Sequence, residues 1–204
     1  MPKDIAKDKE NQIWLLSFYR VSEITGALFF GRLAKSMKPG PIQMDLTRHF
    51  ADEAEHARLW TDCLAKLGAV PLKLEETYQE RYLAAAGMPA NLMEVLALTQ
   101  IFERRVINQY SRHGRLPGLD APVRETLALI MEDEKWHLQW IREALRGMES
   151  EYGAEGIATT LKRYAAADKE AYADVLARHG DRLDVLLGGN DAGEEAESDQ
   201  DRED

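Results

Sequence analysis

Cysteine, basic charge and long apolar runs are all scarce in this chain of 204 residues. The single cysteine, Cys63, excludes an internal disulfide and any four-cysteine zinc or iron module, and we expect it to be a small buried hydrophobic residue. With 26 basic against 36 acidic residues, the chain lacks the basic excess that predicts nucleic-acid binding. Because it has no run of eighteen apolar residues and no apolar signal-peptide region near its N-terminus, we expect neither a membrane span nor secretion. These absences favour a cytoplasmic protein.

The acidic residues are concentrated at the C-terminal end of the sequence. From Gly189 to Asp204, eight acidic side chains are accompanied by one basic residue, Arg202. A segment of this composition cannot bury enough apolar surface to fold. We therefore predict a disordered acidic tail over 188–204, with an open question about an interaction role, after one helical domain over 1–187.

The pattern of apolar residues in the rest of the chain has the three-to-four spacing of helices and none of the alternation of strands. It predicts core helices over about 11–36, 42–67, 91–112 and 122–150, with a further helix over about 154–178 and Asp120 as the cap of the fourth. The connection over 69–90 is long and contains a weak helical piece near 74–86. The sequence therefore predicts an all-α four-helix bundle with one long crossover and an additional C-terminal helix.

Two Glu-x-x-His pairs, 81 residues apart, are the main chemical feature of the sequence, and a lone glutamate precedes each by about thirty residues. One such pair arises readily by chance, but these residues all lie on helical stripes otherwise made of Leu, Ile, Phe and Trp. Residues three apart share a helix face, so each pair can reach one ion or two neighbouring ions. The candidate ligands are Glu23, Glu53, His56, Glu103, Glu134 and His137.

Charge balance indicates a pair of metal ions among these side chains. Four buried carboxylates repel one another and take up protons unless cations neutralise them. Two divalent ions balance the four charges, and a ligand set of carboxylates with a few imidazoles suits iron or manganese. The alternative is a bundle whose acidic residues lie at a solvated edge.

Each Glu-x-x-His pair is preceded by an aspartate that points about a quarter turn aside. Because a ligating histidine usually donates its second ring N–H to a carboxylate or carbonyl, we predict hydrogen bonds from His137 to Asp52 and from His56 to Asp133 across the helices. The alternative is that both are ordinary surface aspartates. His49 is expected to be a core histidine; the residues expected at the surface are His113, His179, Glu55 and Glu132.

The combination Glu23, Glu53-x-x-His56, Glu103 and Glu134-x-x-His137 resembles the ferritin-like di-iron carboxylate superfamily over about residues 11–150. The Asp-Glu-x-x-His form is similar to that of bacterial di-iron monooxygenases. Rubrerythrins are similar in size and ligand symmetry, although their four-cysteine electron-donor module is missing here. The resemblance implies two iron ions, with manganese or a mixed pair as alternatives, reacting with dioxygen or hydrogen peroxide. It also implies Glu23 and Glu103 as terminal ligands, Glu53 and Glu134 as bridging ligands, and one histidine per ion.

Three functions remain open from the sequence. The first is a di-iron oxidoreductase that oxidises or hydroxylates a small organic substrate, the second a rubrerythrin-like peroxidase served by a separate electron-transfer protein, and the third a ferroxidase or iron-handling protein. The symmetric ligands and the aspartates favour the first two over the third and over a purely structural role for the metals. Residues predicted to form an oxygen or substrate pocket are Tyr19, Gly26, Ala27 and Thr99. Aromatic residues in register to donate electrons are Tyr19, Trp60, Tyr110 and Trp136, and a homo-oligomer is left open.

Overall fold

The computed structural model describes residues 8–74 and 77–183, and the predicted acidic tail over 188–204 lies outside them. Within these ranges the chain forms seven helices and no strand, so the prediction of an all-α protein is confirmed. The helices are α1 (Lys9–Ser36), α2 (Pro41–Lys66), α3 (Tyr78–Ala86), α4 (Leu92–Gly114), α5 (Ala121–Gly147), α6 (Glu149–Tyr152) and α7 (Ala154–Leu183).

Side-chain caps explain where three of these helices begin. The side chains of Asp8 and Asn91 accept hydrogen bonds from backbone N–H groups in the first turns of α1 and α4. The weak helical piece of the long connection is α3, which a capping box of Thr77 and Glu80 starts. Asp120 precedes α5 as predicted but makes no side-chain cap; its carboxylate instead accepts a hydrogen bond from the Gln12 side chain at 3.0 Å.

The helices form two adjacent pairs, α1 with α2 and α4 with α5, and α7 packs on one side of them. Residues 37–40 join α1 to α2, and residues 115–120 join α4 to α5. Helix α2 contacts α5 between the pairs, and α7 packs against α3 and α4. The backbone of α7 leaves helical geometry at His179, whose ring packs at a tilt against Trp14 with centroids 5.0 Å apart.

A polar layer divides the interior formed by the long helices α1, α2, α4 and α5 into two apolar clusters. One cluster includes Leu15, Trp60 and Ile130, and the other includes Phe30, Leu46 and Ile141. Because each long helix contributes residues to both clusters, it must carry its buried polar side chains in between. The predicted ligands lie in this layer, so burial on both sides keeps water away from them.

Helix α1 is the one described helix that is long and apolar enough to cross a membrane by length and composition. Core helices of soluble proteins meet the same criterion, and 56% of its most apolar window is buried inside the protein. Because this helix also carries the buried carboxylate of Glu23, we interpret it as a core helix.

Candidate metal centre

The structure brings all six predicted ligands together in the polar layer. Glu23 comes from α1, Glu103 from α4, and one Glu-x-x-His pair from each of α2 and α5. None of the six is more than 4% exposed. The alternative of a solvated edge therefore does not apply to these side chains.

The ligand atoms fall into two groups of four, and within each group they lie within 4.8 Å of one another. We call the first group, Glu23, Glu53, His56 and Glu134, the His56 position. We call the second group, His49, Glu53, Glu103 and His137, the His137 position. Glu23 thus lies with His56, and Glu103 lies with His137 and His49, a pairing that the sequence left undetermined.

Two glutamates connect the positions. Glu53 belongs to both groups. The two carboxylate oxygens of Glu134 lie 3.4 Å from Nδ1 of His56 and 3.4 Å from Nδ1 of His137. This arrangement matches the bridging role expected for Glu53 and Glu134.

The separations between ligand atoms suit a metal ion. Two atoms bound at about 2.1 Å from one ion lie roughly 3.0 Å apart at a right angle and 3.4 Å apart in a tetrahedron. In the His137 position, His49 Nε2 lies 3.2 Å from both Glu53 Oε1 and Glu103 Oε1, and His137 Nδ1 lies 3.9 Å from Glu53 Oε1. In the His56 position, His56 Nδ1 lies 3.8 Å from Glu23 Oε2. Small side-chain movements would bring these atoms to bonding distance.

Many of these atoms have no hydrogen-bond partner although they are buried. They include both carboxylate oxygens of Glu103, both of Glu134, and Nδ1 of His56 and of His137. Buried polar atoms are normally paired, because leaving one unpaired costs about 1–3 kcal/mol. These unpaired oxygen and nitrogen atoms face one another and are of the types that iron and manganese prefer as ligands. Bound cations would therefore satisfy them.

The outer nitrogens of both predicted histidines meet the predicted aspartates. His56 Nε2 donates to Asp133 Oδ2 at 3.3 Å, and His137 Nε2 donates to Asp52 Oδ2 at 3.4 Å. With the proton on Nε2, the Nδ1 lone pair of each ring points into the cluster, where it is available to a metal ion. The structure thus contains both cross-helix contacts that the sequence predicted.

His49 is the ligand candidate that sequence reasoning missed. It lies one turn before Glu53 on the same stripe, and its ring stacks on Phe30 and on His137 with centroid distances of 4.0 and 3.6 Å. A lone histidine on an apolar stripe gives no signal of its own. Its i, i+4 spacing to Glu53 was the pattern that could have identified it.

The pKa values show how strongly the metal-free cluster competes for protons. Burial, followed by the charges of Glu23, Glu103 and Glu134, raises the pKa of Glu53 well above its usual value. Burial alone would lower the pKa of the two predicted histidines, but neighbouring carboxylates outweigh it and raise the pKa of His56 to about 9 and that of His137 to about 10. The metal-free cluster therefore keeps protons that a bound cation would displace.

Glu23 has partners that Glu103 lacks. The Tyr110 hydroxyl donates to Glu23 Oε1, and the Trp60 indole N–H lies 3.2 Å from the Tyr110 oxygen and 3.4 Å from the same carboxylate oxygen. The ring of Tyr19 packs against both aromatic residues, with centroids 4.8 Å from Tyr110 and 5.3 Å from Trp60. Glu23 is consequently held with Oε2 free to face His56.

A small cavity reaches the cluster beside Glu23. Its volume is about 20 Å³, and its walls come from α1, α3 and α4. A cavity of this size holds about one water-sized molecule. Lining residues include Tyr19, Ser22, Tyr78, Phe102, Arg105 and Tyr110.

The pocket expected from the sequence is only partly present. Tyr19 lines the cavity, but the space beside Gly26 is filled by Glu53, whose Oε2 lies 2.2 Å from where a Cβ would be. Ala27 is a buried core residue, and the Thr99 hydroxyl donates to the Val95 carbonyl oxygen at 2.9 Å. Of the four residues, Tyr19 alone borders this cavity.

The remaining predicted residues are mostly where the sequence put them. Glu55 and Glu132 are exposed, Cys63 is buried, and Trp136 lies against His137 with centroids 5.7 Å apart. His113, expected at the surface, is instead fully buried with neither ring nitrogen hydrogen-bonded. Its helix-end position suggested exposure, but the last turn of α4 packs it against Tyr19. Burial lowers the pKa of His113 to about 4.

The fold and the cluster define a class: an all-helical protein whose buried glutamates and histidines could hold metal ions. No family model, curated protein or solved structure matches the chain.

Proposed function

We propose that this protein is a ferritin-like di-iron carboxylate oxidoreductase that reduces hydrogen peroxide, with electrons from a separate electron-transfer protein. The single observation that carries the proposal is the enclosed cluster of four glutamates and three histidines, with unpaired ligand atoms and a cavity of about 20 Å³ beside Glu23. Manganese in one or both positions is compatible with the same ligand set.

The size of the cavity favours the peroxidase over the oxidation of an organic substrate. Pockets for organic ligands usually measure about 300–1,000 Å³, whereas this cavity has room for about one molecule the size of water or peroxide. An organic substrate would require an opening of the helices beside Tyr19 and Phe102.

The chain's own residues orient the ligands and exclude water. Glu53 belongs to both positions, and the two oxygens of Glu134 lie 3.4 Å from the inner nitrogens of His56 and His137. Asp133 and Asp52 fix the tautomers of these two histidines. Bound iron would supply reversible one-electron chemistry at each of two adjacent ions, which matches the two electrons that cleavage of a peroxide bond consumes. Reduction of hydrogen peroxide to two waters also consumes two protons, which must come from solvent. Burial and the charge of Glu23 raise the pKa of Tyr110 well above its usual value, so its proton stays on the hydroxyl at the cavity wall.

Iron oxidation is a second candidate, and one observation favours it. His49 makes the two positions unequal, and asymmetric ligands suit a centre through which iron passes. A ferroxidase would oxidise many iron ions per chain and release them from the centre. A peroxidase would retain two.

Rapid mixing of the iron(II)-loaded protein with limiting hydrogen peroxide or dioxygen tests the proposal. We expect one peroxide to oxidise both ions of a chain, faster than dioxygen does, and the iron to remain bound. Glu134→Gln should abolish the reaction, whereas Glu132→Gln, an exposed change on the same helix, should not. Peroxide-insensitive iron(II), or oxidised iron leaving the protein, would contradict the peroxidase.

A further inference from the structure

We propose that the two metal positions are inequivalent: the His137 position fills first and binds the more tightly, and the His56 position keeps its open coordination toward the cavity. This inference deepens the proposed function and rests on its metal centre. The two positions differ in the number of donor atoms that they offer.

The His137 position offers six donor atoms. His49 Nε2 and His137 Nδ1 supply two nitrogens, and Glu53 supplies one oxygen. Glu134, outside this group, adds its Oε2, which lies 3.4 Å from His137 Nδ1. Both oxygens of Glu103 lack hydrogen-bond partners, so this carboxylate is available to bind with both. Six donors complete the shell of an octahedral ion.

The His56 position offers four donor atoms. They are His56 Nδ1, one oxygen from each bridging glutamate, and Oε2 of Glu23. Tyr110 and Trp60 engage the other oxygen of Glu23, so this carboxylate has one oxygen left to give. An octahedral ion here would have two coordination positions left for small molecules.

The repeated spacing of the two Glu-x-x-His pairs identifies His49 as the residue that makes the two positions different. The two Glu-x-x-His pairs are 81 residues apart, and the residue 81 positions after His49 is Ile130. Ile130 is fully buried in the apolar cluster that contains Trp60 and Tyr110. The second Glu-x-x-His pair thus has an apolar residue at the place where the first has the imidazole of His49.

The surroundings hold His49 ready to bind. Phe30 and His137 enclose its ring from either side, and the ring has no exposed surface. The side chain therefore loses little conformational freedom when it binds an ion. Glu23 of the His56 position also lines the cavity, so a small molecule there would approach an ion bound in that position.

Cobalt(II) titration of the metal-free protein tests the inference, because cobalt absorbance is weak for six-coordinate ions and stronger for lower coordination. We expect two phases in the unmodified protein, the first binding at least about tenfold more tightly and giving weak absorbance. Azide, a small anion that binds open positions, should change the spectrum only after the second cobalt ion enters.

His49→Leu imitates Ile130 and should weaken the first phase by about 10- to 100-fold, so that the phases merge. The matched control is His113→Leu, which changes another buried histidine outside both positions and should leave the titration unchanged. Two ions that bind the unmodified protein in one phase, or an unaltered titration of His49→Leu, would overturn the inequivalence while leaving the dinuclear centre intact. A protein that binds no cobalt, iron or manganese would refute the proposed function as well.

Discussion

Gly26→Ala should strongly weaken metal binding while leaving the fold intact. A Cβ at this position would lie 2.2 Å from Oε2 of Glu53 and 3.1 Å from its carboxyl carbon. Real contacts of a Cβ stay above 3.0 Å. The Oε2 atom must therefore move by at least the difference between 2.2 and 3.0 Å. That movement is about four times the 0.2 Å tolerance of a metal–ligand distance.

Gly26→Ala should change the stability of the fold much less than the metal affinity. Alanine favours a helix interior by about 0.5–1 kcal/mol over glycine, and rotating Glu53 away costs about 0.5–1.5 kcal/mol. The stability of the metal-free protein should therefore change by less than about 1 kcal/mol. Because Glu53 belongs to both positions, metal affinity should fall by about 100-fold or more, which corresponds to about 2.7 kcal/mol.

Denaturant unfolding of the metal-free protein and calorimetric titration with iron(II) measure the two effects. Gly156→Ala is the control, because a Cβ on that helical glycine meets nothing within 4 Å. A Gly26→Ala protein that binds two ions with unmodified affinity would refute the placement of Glu53 between them.

Three further predictions concern groups around the ligands. The pKa of His113 is about 4 in the folded protein and 6.5 in the unfolded chain, so its neutral form should contribute about 3 kcal/mol to the free energy of unfolding. This contribution is complete above pH 6.5 and is lost as the pH falls to 4. Denaturant unfolding of His113→Leu should lack the loss, and a pH dependence identical to that of the unmodified protein would contradict the prediction. Asp133→Asn should lower metal affinity about 10- to 100-fold in calorimetry, since Asp133 holds the ring of His56; the exposed change Asp62→Asn should have no effect. Tyr110→Phe removes the hydroxyl at Glu23 and should slow peroxide reduction while leaving two ions bound; a lost ion in metal analysis would show that Tyr110 supports binding instead.

Most of the ligand arrangement could be predicted because it depends on helix periodicity. Glu53 and His56 share a face at i, i+3, and each preceding aspartate points toward the neighbouring helix, so the contact between Asp52 and His137 followed from the angle alone. The helix limits near Ser36 and Ala121 followed from the prolines and glycines beside them.

The predictions that were wrong or incomplete concern residues whose surroundings come from distant segments of the chain. His49 has the sequence pattern of a core histidine, and its place in the cluster depends on Glu103 of another helix, whose Oε1 lies 3.2 Å from its Nε2. The free space expected beside Gly26 is occupied by Glu53 of α2, and the small size of glycine there accommodates a ligand. The residues next to His49 and Gly26 in the sequence do not indicate the contacts with Glu103 and Glu53.

The most direct measurement of the central claim is the metal content per chain of the unmodified protein and of Glu103→Ala after loading with iron(II) and removal of unbound metal. We predict about two ions per chain in the unmodified protein and a loss of at least one in Glu103→Ala, whose carboxylate belongs to the His137 position. Equal metal content in the two proteins, or none in either, would contradict a dinuclear centre in this cluster.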